Sequence, residues 1–200
     1  MKNSLTILAI DTSLGGCSAA LWRDGTIVVS AQEEQNGQQS KKLVPMIEKI
    51  MKDAGITYND CTAIACTLGP GGFTGIRVGL TVARGLRLAT KKPLIGLTTL
   101  EVIAYASKLQ GDVLAIVDAY RGQYYIQRFR RIEKLTAVSD PMLVDEKMLP
   151  PLAHGAKKAQ PGIINAEDVA ALAAEKWLAG EREFPTSPLY IREPDAKLPA

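Results

Sequence analysis

The hydrophobic positions of this chain follow a strand period in some segments and a helix period in others. Apolar runs joined by tight turns predict three strands at the start, over residues 5–11, 17–22 and 26–32. A helix is predicted next, from Ser40 as N-cap to Ala54, because apolar residues recur there on one helical face and Gly55 follows. The chain therefore opens with short-connected strands and then a helix.

The rest of the chain continues to alternate between the two periods. Further strands are predicted over residues 63–68, 93–97, 112–118, 123–130 and 136–139. Further helices are predicted over residues 73–90, 98–108 and 165–178, the last with Asn165 as its cap. Residues 141–160 contain three prolines and no clear period, which predicts mostly irregular structure. The order of elements indicates an α/β fold whose two halves resemble one another.

The most distinctive segment is a glycine-dense stretch between a predicted strand and a predicted helix, residues 69–79 (GPGGFTGIRVG). Such a turn brings bare backbone amides to the positive end of a helix, where anions are favoured. It is not a P-loop, because no Gly-Lys-Ser/Thr follows, and Thr74 occupies the third glycine position of the dinucleotide fingerprint. The alternative to ligand binding is a tight turn before a closely packed helix, because Gly75, Gly79 and Ala83 share one helix face.

Each half of the chain also has a strand that ends in an aspartate before a turn, at Asp11 and at Asp118. A strand-end carboxylate can hold a magnesium ion through water, or it can cap a local amide. If the two turns face each other across a cleft, they would hold the phosphates of a nucleotide. The candidate nucleotide site consists of Asp11, Ser13, Gly71, Gly72 and Asp118. The alternative is that both aspartates only form turns.

The composition of the chain excludes several functional classes of protein. The 200 residues are 46% hydrophobic, yet no run approaches the roughly 18 apolar residues that span a bilayer, and no signal peptide is recognised, which predicts a cytoplasmic protein. A single histidine, His154, excludes paired-histidine metal chemistry, and no metal site is predicted. Cys17, Cys61 and Cys66 are expected to be buried free thiols. With a net charge of +3 and scattered basic pairs, nucleic acid is expected to be contacted only within a larger assembly.

Several segments resemble the TsaB (YeaZ) family. They are residues 8–13 (LAIDTS), 68–79 (LGPGGFTGIRVG), 96–101 (GLTTLE), 118–122 (DAYRG) and 188–192 (PLYIR). The resemblance covers nearly the whole chain and implies the actin-like ATPase fold, with ribonuclease-H-like topology and mixed β-sheets in two lobes. It implies an N-terminal lobe over residues 1–108 that carries the dimerisation helices, and a smaller C-terminal lobe over residues 109–200.

The same resemblance implies a non-catalytic role. Such a chain is expected to be a scaffold and activating subunit that dimerises with a TsaD-like transferase. Together with a TsaE-like ATPase, the complex would place threonylcarbamoyl on the adenosine beside the anticodon of tRNA. The isolated chain is expected to form a homodimer and to meet tRNA only through the complex. It would carry no cofactor of its own, with ATP or ADP a candidate ligand at the partner interface. Gln39 stands where relatives commonly have a histidine.

The resemblance further implies that dimers form through the first two helices of the N-terminal lobe. A helix that is apolar on nearly every side must be covered all round, so helix 73–90 is expected to have the sheet on one side and a partner on the other. The alternative is a helix sandwiched inside the chain. The predicted interface residues are Leu43, Ile47, Phe73, Gly75, Ile76, Val78, Gly79, Val82, Ala83 and Leu86. Gly79→Leu is expected to leave the fold largely intact and to weaken association.

Three other functions stay open at this stage. The first is an independent ATPase or kinase-like enzyme that uses Asp11 and Asp118 around a magnesium nucleotide, although no general base or phosphate-gripping lysine accompanies the two turns. The second is a peptidase, which the single histidine and the lack of a metal cluster disfavour. The third is a stand-alone RNA-binding module, which the scattered charge disfavours.

Overall fold

The computed structural model describes residues 4–35 and 37–192, which form two β-sheets with helices packed against them. The first sheet has the order β3-β2-β1-β4-β5. Its strands are β1 (Thr6–Asp11), β2 (Cys17–Arg23), β3 (Thr26–Glu33), β4 (Ala63–Thr67) and β5 (Leu94–Leu97). The first three strands are antiparallel, whereas β4 and β5 run parallel to β1. β1 and β4 are buried along their whole length, as their continuous apolar runs predict.

Three helices follow the strands of this sheet. They are α1 (Gln39–Asp53), α2 (Phe73–Thr90) and α3 (Thr99–Ala106), with a short 3₁₀ turn at Tyr58–Asp60. α1 and α2 cover one face of the sheet, where Leu8 of β1 packs in one cluster with Leu43 of α1 and Leu80 of α2. The predicted N-cap of α1 was wrong: Gln38 takes that position without a side-chain cap bond, and Ser40 lies inside the helix.

The second sheet has the order β10-β6-β7-β8, and β9 pairs with β7. Its strands are β6 (Gly111–Asp118), β7 (Gln123–Arg131), β8 (Leu135–Ala137), β9 (Met142–Asp145) and β10 (Lys157–Ala159). Residues 141–160 are therefore not mostly irregular, because β9, a 3₁₀ turn (Glu146–Met148), α4 (Leu149–Leu152) and β10 all lie there. These elements are only three or four residues long, which is too short to produce a period in the sequence.

The last helix, α5 (Ala166–Leu178), returns to the first sheet and packs against β1 and β2. Asn165 caps it as predicted, because its side chain accepts a hydrogen bond from the Glu167 amide at 3.0 Å. One apolar cluster then joins both sheets and includes Ile7 of β1, Phe129 of β7 and Val169 of α5. The second half of the chain therefore supplies part of the core of the first sheet.

The segment that follows α5 also returns to the first sheet. The Leu189 amide donates to the Leu68 carbonyl at 2.8 Å, and a Cβ on Gly96 would overlap the Pro185 carbonyl oxygen. The predicted division at residue 108 falls between the two sheets, but as a boundary between folding units it stays a prediction. The outer ends of both predicted lobes, residues 1–3 and 193–200, lie outside the described residues. Within the described ranges, no helix is long and apolar enough to cross a membrane.

A buried serine links the two parts of the chain and supplies a test of this packing. Ser18 Oγ donates to the Ile164 carbonyl at 3.0 Å and accepts from the Ala166 amide at 2.9 Å. Ser18→Ala leaves both backbone groups without a partner, so we expect the free energy of unfolding to fall by about 2 kcal/mol in urea titrations. Ser30→Ala is the matched control, because exposed Ser30 bonds Glu167 on the same helix and should change stability by less than about 0.5 kcal/mol. Equal effects would contradict this account.

Candidate functional site

A cleft of about 600 Å³ lies between the two sheets. The turn after β1, the start of α1 and the glycine-dense loop before α2 line one side. Val117, Asp118, Tyr120 and the loop at residues 160–162 line the other side. This volume is within the range of small-molecule sites. Both halves of the described chain contribute to the cleft, and it is the position where the sequence predicted a nucleotide.

The glycines of α2 are explained by the turn after β1. Thr12 Oγ1 donates to the Gly75 carbonyl at 2.6 Å and accepts from the Gly79 amide at 3.1 Å, so the threonine lies in a groove of the helix. A Cβ on Gly75 would overlap the Thr12 carbonyl oxygen, and a Cβ on Gly79 would overlap Thr12 Oγ1. Neither glycine has the positive φ that favours glycine. Both are therefore required by close packing inside the chain.

The glycine loop itself is held in the same way. The Gly72 amide donates to the Ser13 carbonyl at 2.9 Å, and a Cβ on Gly71 would overlap that same oxygen. Gln39, at the start of α1, fixes the turn from the other side, since its Nε2 donates to the Gly15 carbonyl at 2.6 Å. The Gly72 amide is therefore occupied by the chain itself and cannot bind a phosphate without breaking this contact.

Asp11 lies beneath the floor of the cleft and is 1% exposed. Its Oδ1 accepts from Ser13 Oγ at 2.6 Å and from Thr67 Oγ1 at 2.5 Å, and the Ser13 amide also points at it. Burial raises the pKa of Asp11 from 3.8 to about 6, although the hydrogen bonds from Ser13 and Thr67 act to lower it. The carboxyl group is therefore committed to holding β1, its turn and β4 together.

Asp118 is exposed on the opposite side of the cleft. Its Oδ1 accepts from the Tyr120 amide at 2.7 Å, which is the local capping role that the sequence left open. In the turn between β6 and β7, Tyr120 and Arg121 both have a φ of 60° and Gly122 has a φ of 71°, and the Gln123 amide donates to the Tyr120 carbonyl at 3.2 Å. The structure thus places Ser13, Gly71, Gly72 and Asp118 around the cleft and Asp11 beneath it. Nucleotide binding at these five residues stays a prediction.

The charge of the cleft is informative about what it can hold. Among the lining residues that the structure describes, Asp118 is the one charged side chain, and no lysine or arginine is present. Nucleotide phosphates in catalytic sites are usually held by a cation together with free backbone amides. The cleft therefore has the shape of a nucleotide site without the charge that grips phosphates.

The predicted partner interface is divided by the structure into buried and accessible residues. Six of its members are buried inside the chain: Leu43, Ile47, Gly75, Ile76, Gly79 and Ala83. The prediction is corrected for these six, because the sheet and the Thr12 turn already cover them. The expected effect of Gly79→Leu is corrected as well, since the larger side chain would meet Thr12 and disturb the fold. Phe73 is exposed, and Val78, Val82 and Leu86 are half-buried, so for these four the interface stays a prediction.

The accessible face of α2 contains residues that the sequence reasoning missed. On an ideal helix Thr74, Val78, Thr81, Gly85 and Leu88 fall within an arc of about 80°. We call these five residues the outer face of α2. A Cβ on Gly85 would meet no atom within 4 Å, and Leu88 is 82% exposed. A glycine in a helix interior lowers stability by about 1 kcal/mol relative to alanine. This unfavourable choice of residue was the signal by which the sequence could have pointed to Gly85.

Reactive side chains are scarce in the described part of the chain. All three cysteines are free and buried, as predicted. Burial raises the pKa of Cys66 to about 12 and that of Cys61 to about 11, which leaves them protonated and unreactive at neutral pH. His154 lies exposed in a loop after α4, outside the residues that line the cleft. Within the described ranges, no three His, Cys, Asp or Glu side chains cluster as metal ligands.

Comparison with known proteins places this architecture among tRNA-modification proteins. A family model described as "TsaD: tRNA N6-adenosine threonylcarbamoyltransferase" matches residues 31–189. The tRNA threonylcarbamoyladenosine biosynthesis protein TsaB of Escherichia coli is 37% identical over 72% of this chain and 66% of the relative. The protein of the same name from Buchnera aphidicola is 36% identical over 62% of this chain and 60% of the relative. The matches thus span two-thirds or less of these curated relatives.

Solved structures confirm the fold. An uncharacterized Pseudomonas aeruginosa protein described as similar to peptidase YEAZ matches with a TM-score of 0.82 and 26% identity, covering 94% of this chain and all of that one. YeaZ from Pseudomonas aeruginosa matches with a TM-score of 0.80 and 24% identity, covering 93% and 99% of the two chains. The predicted α/β fold of the actin-like type, with mixed sheets, is therefore confirmed.

The buried Gly75 and the exposed Gly85 of α2 give opposite predictions for substitution by alanine. Gly75→Ala forces the helix away from the Thr12 backbone, so we expect the free energy of unfolding to fall by about 3 kcal/mol. Gly85→Ala places its methyl group in open space and should instead raise stability by about 1 kcal/mol. Urea unfolding followed by circular dichroism measures both variants. Destabilisation of the Gly85 variant by as much as the Gly75 variant would show that the assignment of faces is wrong.

The buried carboxyl group predicts a dependence of stability on pH. Because the folded-state pKa of Asp11 is raised to about 6, the folded chain holds this proton more tightly than the unfolded chain. The contribution of Asp11 to the free energy of unfolding is therefore largest below about pH 4. It is lost as the pH rises through 6, and the total loss is roughly 3 kcal/mol.

Asp11→Asn removes this titration. We expect the stability of the wild type relative to the Asn variant to fall by about 2 kcal/mol between pH 4.5 and pH 7.5, as measured by urea unfolding at each pH. Asp118→Asn, the same substitution at an exposed aspartate, is measured alongside. A pH-independent difference between wild type and Asp11→Asn would contradict the burial of a titrating group.

Proposed function

The chain belongs to the TsaB (YeaZ) family, and on that premise we propose that it is a non-catalytic subunit that associates with a TsaD-type transferase in tRNA threonylcarbamoyladenosine biosynthesis. The observation that carries the proposal is the contrast between the two surfaces of α2. The inner surface, at Gly75 and Gly79, is closed by the chain itself, whereas the outer face around Gly85 is open.

The non-catalytic role is supported by how the cleft residues are used. Asp11 is buried beneath the floor, the Gly72 amide is bonded to Ser13, and Asp118 caps its own turn. A nucleotide-hydrolysing enzyme needs groups that are free to orient a metal ion, a phosphate or a water molecule. In this cleft the corresponding groups are already engaged in structural hydrogen bonds, and no described cationic side chain lines the wall.

The association with a partner is supported by the composition of the outer face of α2. Gly85 has no side chain and lies on this face between Thr81 and the exposed Leu88, while the half-buried Val78 supplies further apolar surface. Small residues on a helix face allow the backbone of a second helix to approach closely. Glycine in an exposed helix interior is unfavourable for the isolated chain, so its presence is best explained by a contact that the helix makes with another molecule.

The same face can serve two kinds of association. Two copies of the chain would meet through it in an isologous dimer, and a transferase of related fold would meet it in the same way. We propose the homodimer for the isolated chain and the heterodimer for the working complex. A TsaE-like ATPase, a nucleotide at the joint interface and cytoplasmic localisation remain predictions of the family resemblance.

An independent ATPase or kinase-like enzyme is the competing function. The size of the cleft favours it, because about 600 Å³ can accommodate a nucleotide. The peptidase description belongs to one Pseudomonas aeruginosa neighbour, and in this chain the buried thiols and the position of His154 do not supply a nucleophile paired with a base. Turnover of MgATP by the purified chain alone would favour the competing function.

Gly85→Gln tests the proposed association. The substitution adds a long uncharged side chain to the outer face while improving the helix propensity, so the fold should be retained. We expect binding to a TsaD-type transferase from the same source to weaken by roughly tenfold to a hundredfold, since a tight helix contact cannot accommodate the side chain. Analytical ultracentrifugation of the isolated variant should also show a shift from dimer to monomer.

Ala137→Gln is the matched control, because it makes a similar change at an exposed position of β8 in the second sheet. It should bind the transferase as the wild type does. Wild-type affinity of a folded Gly85→Gln variant would refute the proposed interface, and equal loss in both variants would show that the effect is not specific to α2.

A further inference from the structure

Forty consecutive residues of this chain, 61–100, contain no aspartate or glutamate. The same stretch contains five cations: Arg77, Arg84, Arg87, Lys91 and Lys92. The net charge of the whole chain is only +3, so the overall composition does not show that this segment carries five cations and no acidic residue. The sequence pattern alone did not reveal it, because apart from the adjacent Lys91 and Lys92 the cations are spaced three to seven residues apart in the linear chain.

Three of these cations share one side of α2, and a fourth lies at its C-terminal end. On an ideal helix Arg77, Arg84 and Arg87 fall within an arc of about 80° and extend over about 15 Å of the axis. Lys91 follows at the C-cap with a φ of 59°. All four are exposed, whereas Lys92 is half-buried in a depression that it shares with Asp60. We call the four exposed residues the basic strip. Its arc adjoins that of the outer face without overlapping it, since on an ideal helix about 20° separates Arg77 from Leu88.

The charges of the basic strip are not neutralised by the described part of the chain. None of its four residues forms an ion pair with a residue in the ranges 4–35 and 37–192. Two of them are oriented by neutral groups of the C-terminal segment, since Arg84 Nη2 donates to the Thr186 carbonyl and Arg77 Nε donates to Tyr190 Oη. These contacts hold the guanidinium groups in place without reducing their charge.

Aromatic side chains lie at one end of the basic strip. Phe73 is 52% exposed and Tyr190 is 43% exposed, with their ring centroids 5.3 Å apart. The Arg77 guanidinium carbon lies 3.7 Å from the centroid of the Phe73 ring. Arginines in a row beside exposed aromatic rings suit a phosphate backbone with an unpaired base at one end, since guanidinium groups bind phosphate bidentately and rings stack on bases.

We propose that the basic strip of α2 is an RNA-contacting surface, on which Arg84, Arg87 and Lys91 bind backbone phosphates and the Phe73–Tyr190 pair faces an unpaired base. The chemistry of the strip points to an RNA as the ligand. That this RNA is a tRNA rests on the proposed function.

Arg87→Gln together with Lys91→Gln tests the proposal, because neither side chain makes a described hydrogen bond that holds the fold. The probe is an unmodified tRNA transcript carrying a fluorescent label, titrated with the isolated chain between 50 and 200 mM salt. Each phosphate contact contributes about 0.7–0.9 to the slope of log affinity against log salt. We expect the double variant to lose about 1.5 from that slope and to bind roughly tenfold more weakly at 100 mM salt.

Lys134→Gln together with Lys147→Gln is the control, because it removes the same charge from exposed positions in the second half of the chain. It should retain the wild-type slope. Wild-type RNA binding by the α2 double variant, or an equal loss in the control, would overturn the inference. It would also be overturned if the α2 variant lost the transferase while its RNA binding was unchanged, since the strip would then be a protein-docking surface.

The test separates this inference from the proposed function. RNA binding is measured on the chain alone and does not require the transferase. A chain that binds tRNA through the basic strip but fails to bind any TsaD-type partner would contradict the proposed function and support the strip. A chain that binds the partner through the outer face and shows no strip-dependent RNA binding would support the proposed function and contradict the RNA-contacting role of the strip.

Discussion

The contact on which the rest of this structure depends is the insertion of Thr12 into the groove of α2. Two hydrogen bonds at Gly75 and Gly79 fix the threonine, and no larger residue than glycine fits at either position. The contact sets the rotation of α2 about its own axis. It thereby determines which residues are covered by the sheet, which form the outer face and which form the basic strip. It also draws the Gly72 amide onto the Ser13 carbonyl and closes the floor of the cleft.

The functional consequence that we propose is that the binding surfaces lie along α2 and reach the cleft only at its rim, at Thr74 and Val78. The fold keeps an opening between its two sheets, yet the polar groups around it stabilise the chain, and Asp11 is held in a buried site that raises its pKa. An accessory subunit does not need a cleft that performs chemistry. On the proposed function the chain needs surfaces that a partner can recognise, and α2 offers two candidates on adjoining arcs. One is small and apolar and suits a helix, and the other is cationic and suits phosphates.

The strands of the first sheet, α2 and the Asn165-capped α5 could be predicted from the sequence, because apolar runs or recurring apolar positions mark them. Among the shortest elements, β5 and β8 were also predicted, whereas β9, α4 and β10 were not. β9, α4 and β10 are stabilised by packing on β6 and β7, which leaves no local signal. For α2, the spacing of Gly75, Gly79 and Ala83 showed that they share a face. Only the structure showed that this face meets Thr12, because the spacing of residues along a helix does not say which residue of another element packs against them.

The central claim, that the outer face of α2 meets the partner while the cleft does not, is tested most directly by hydroxyl-radical footprinting. The chain is labelled alone and after mixing with a TsaD-type transferase from the same source. The account predicts that oxidation of Leu88, which is 82% exposed, falls sharply in the mixture, whereas oxidation of Met148 and Tyr120 is unchanged. Undiminished oxidation of Leu88 together with protection of Tyr120 would contradict it and would place the partner at the cleft.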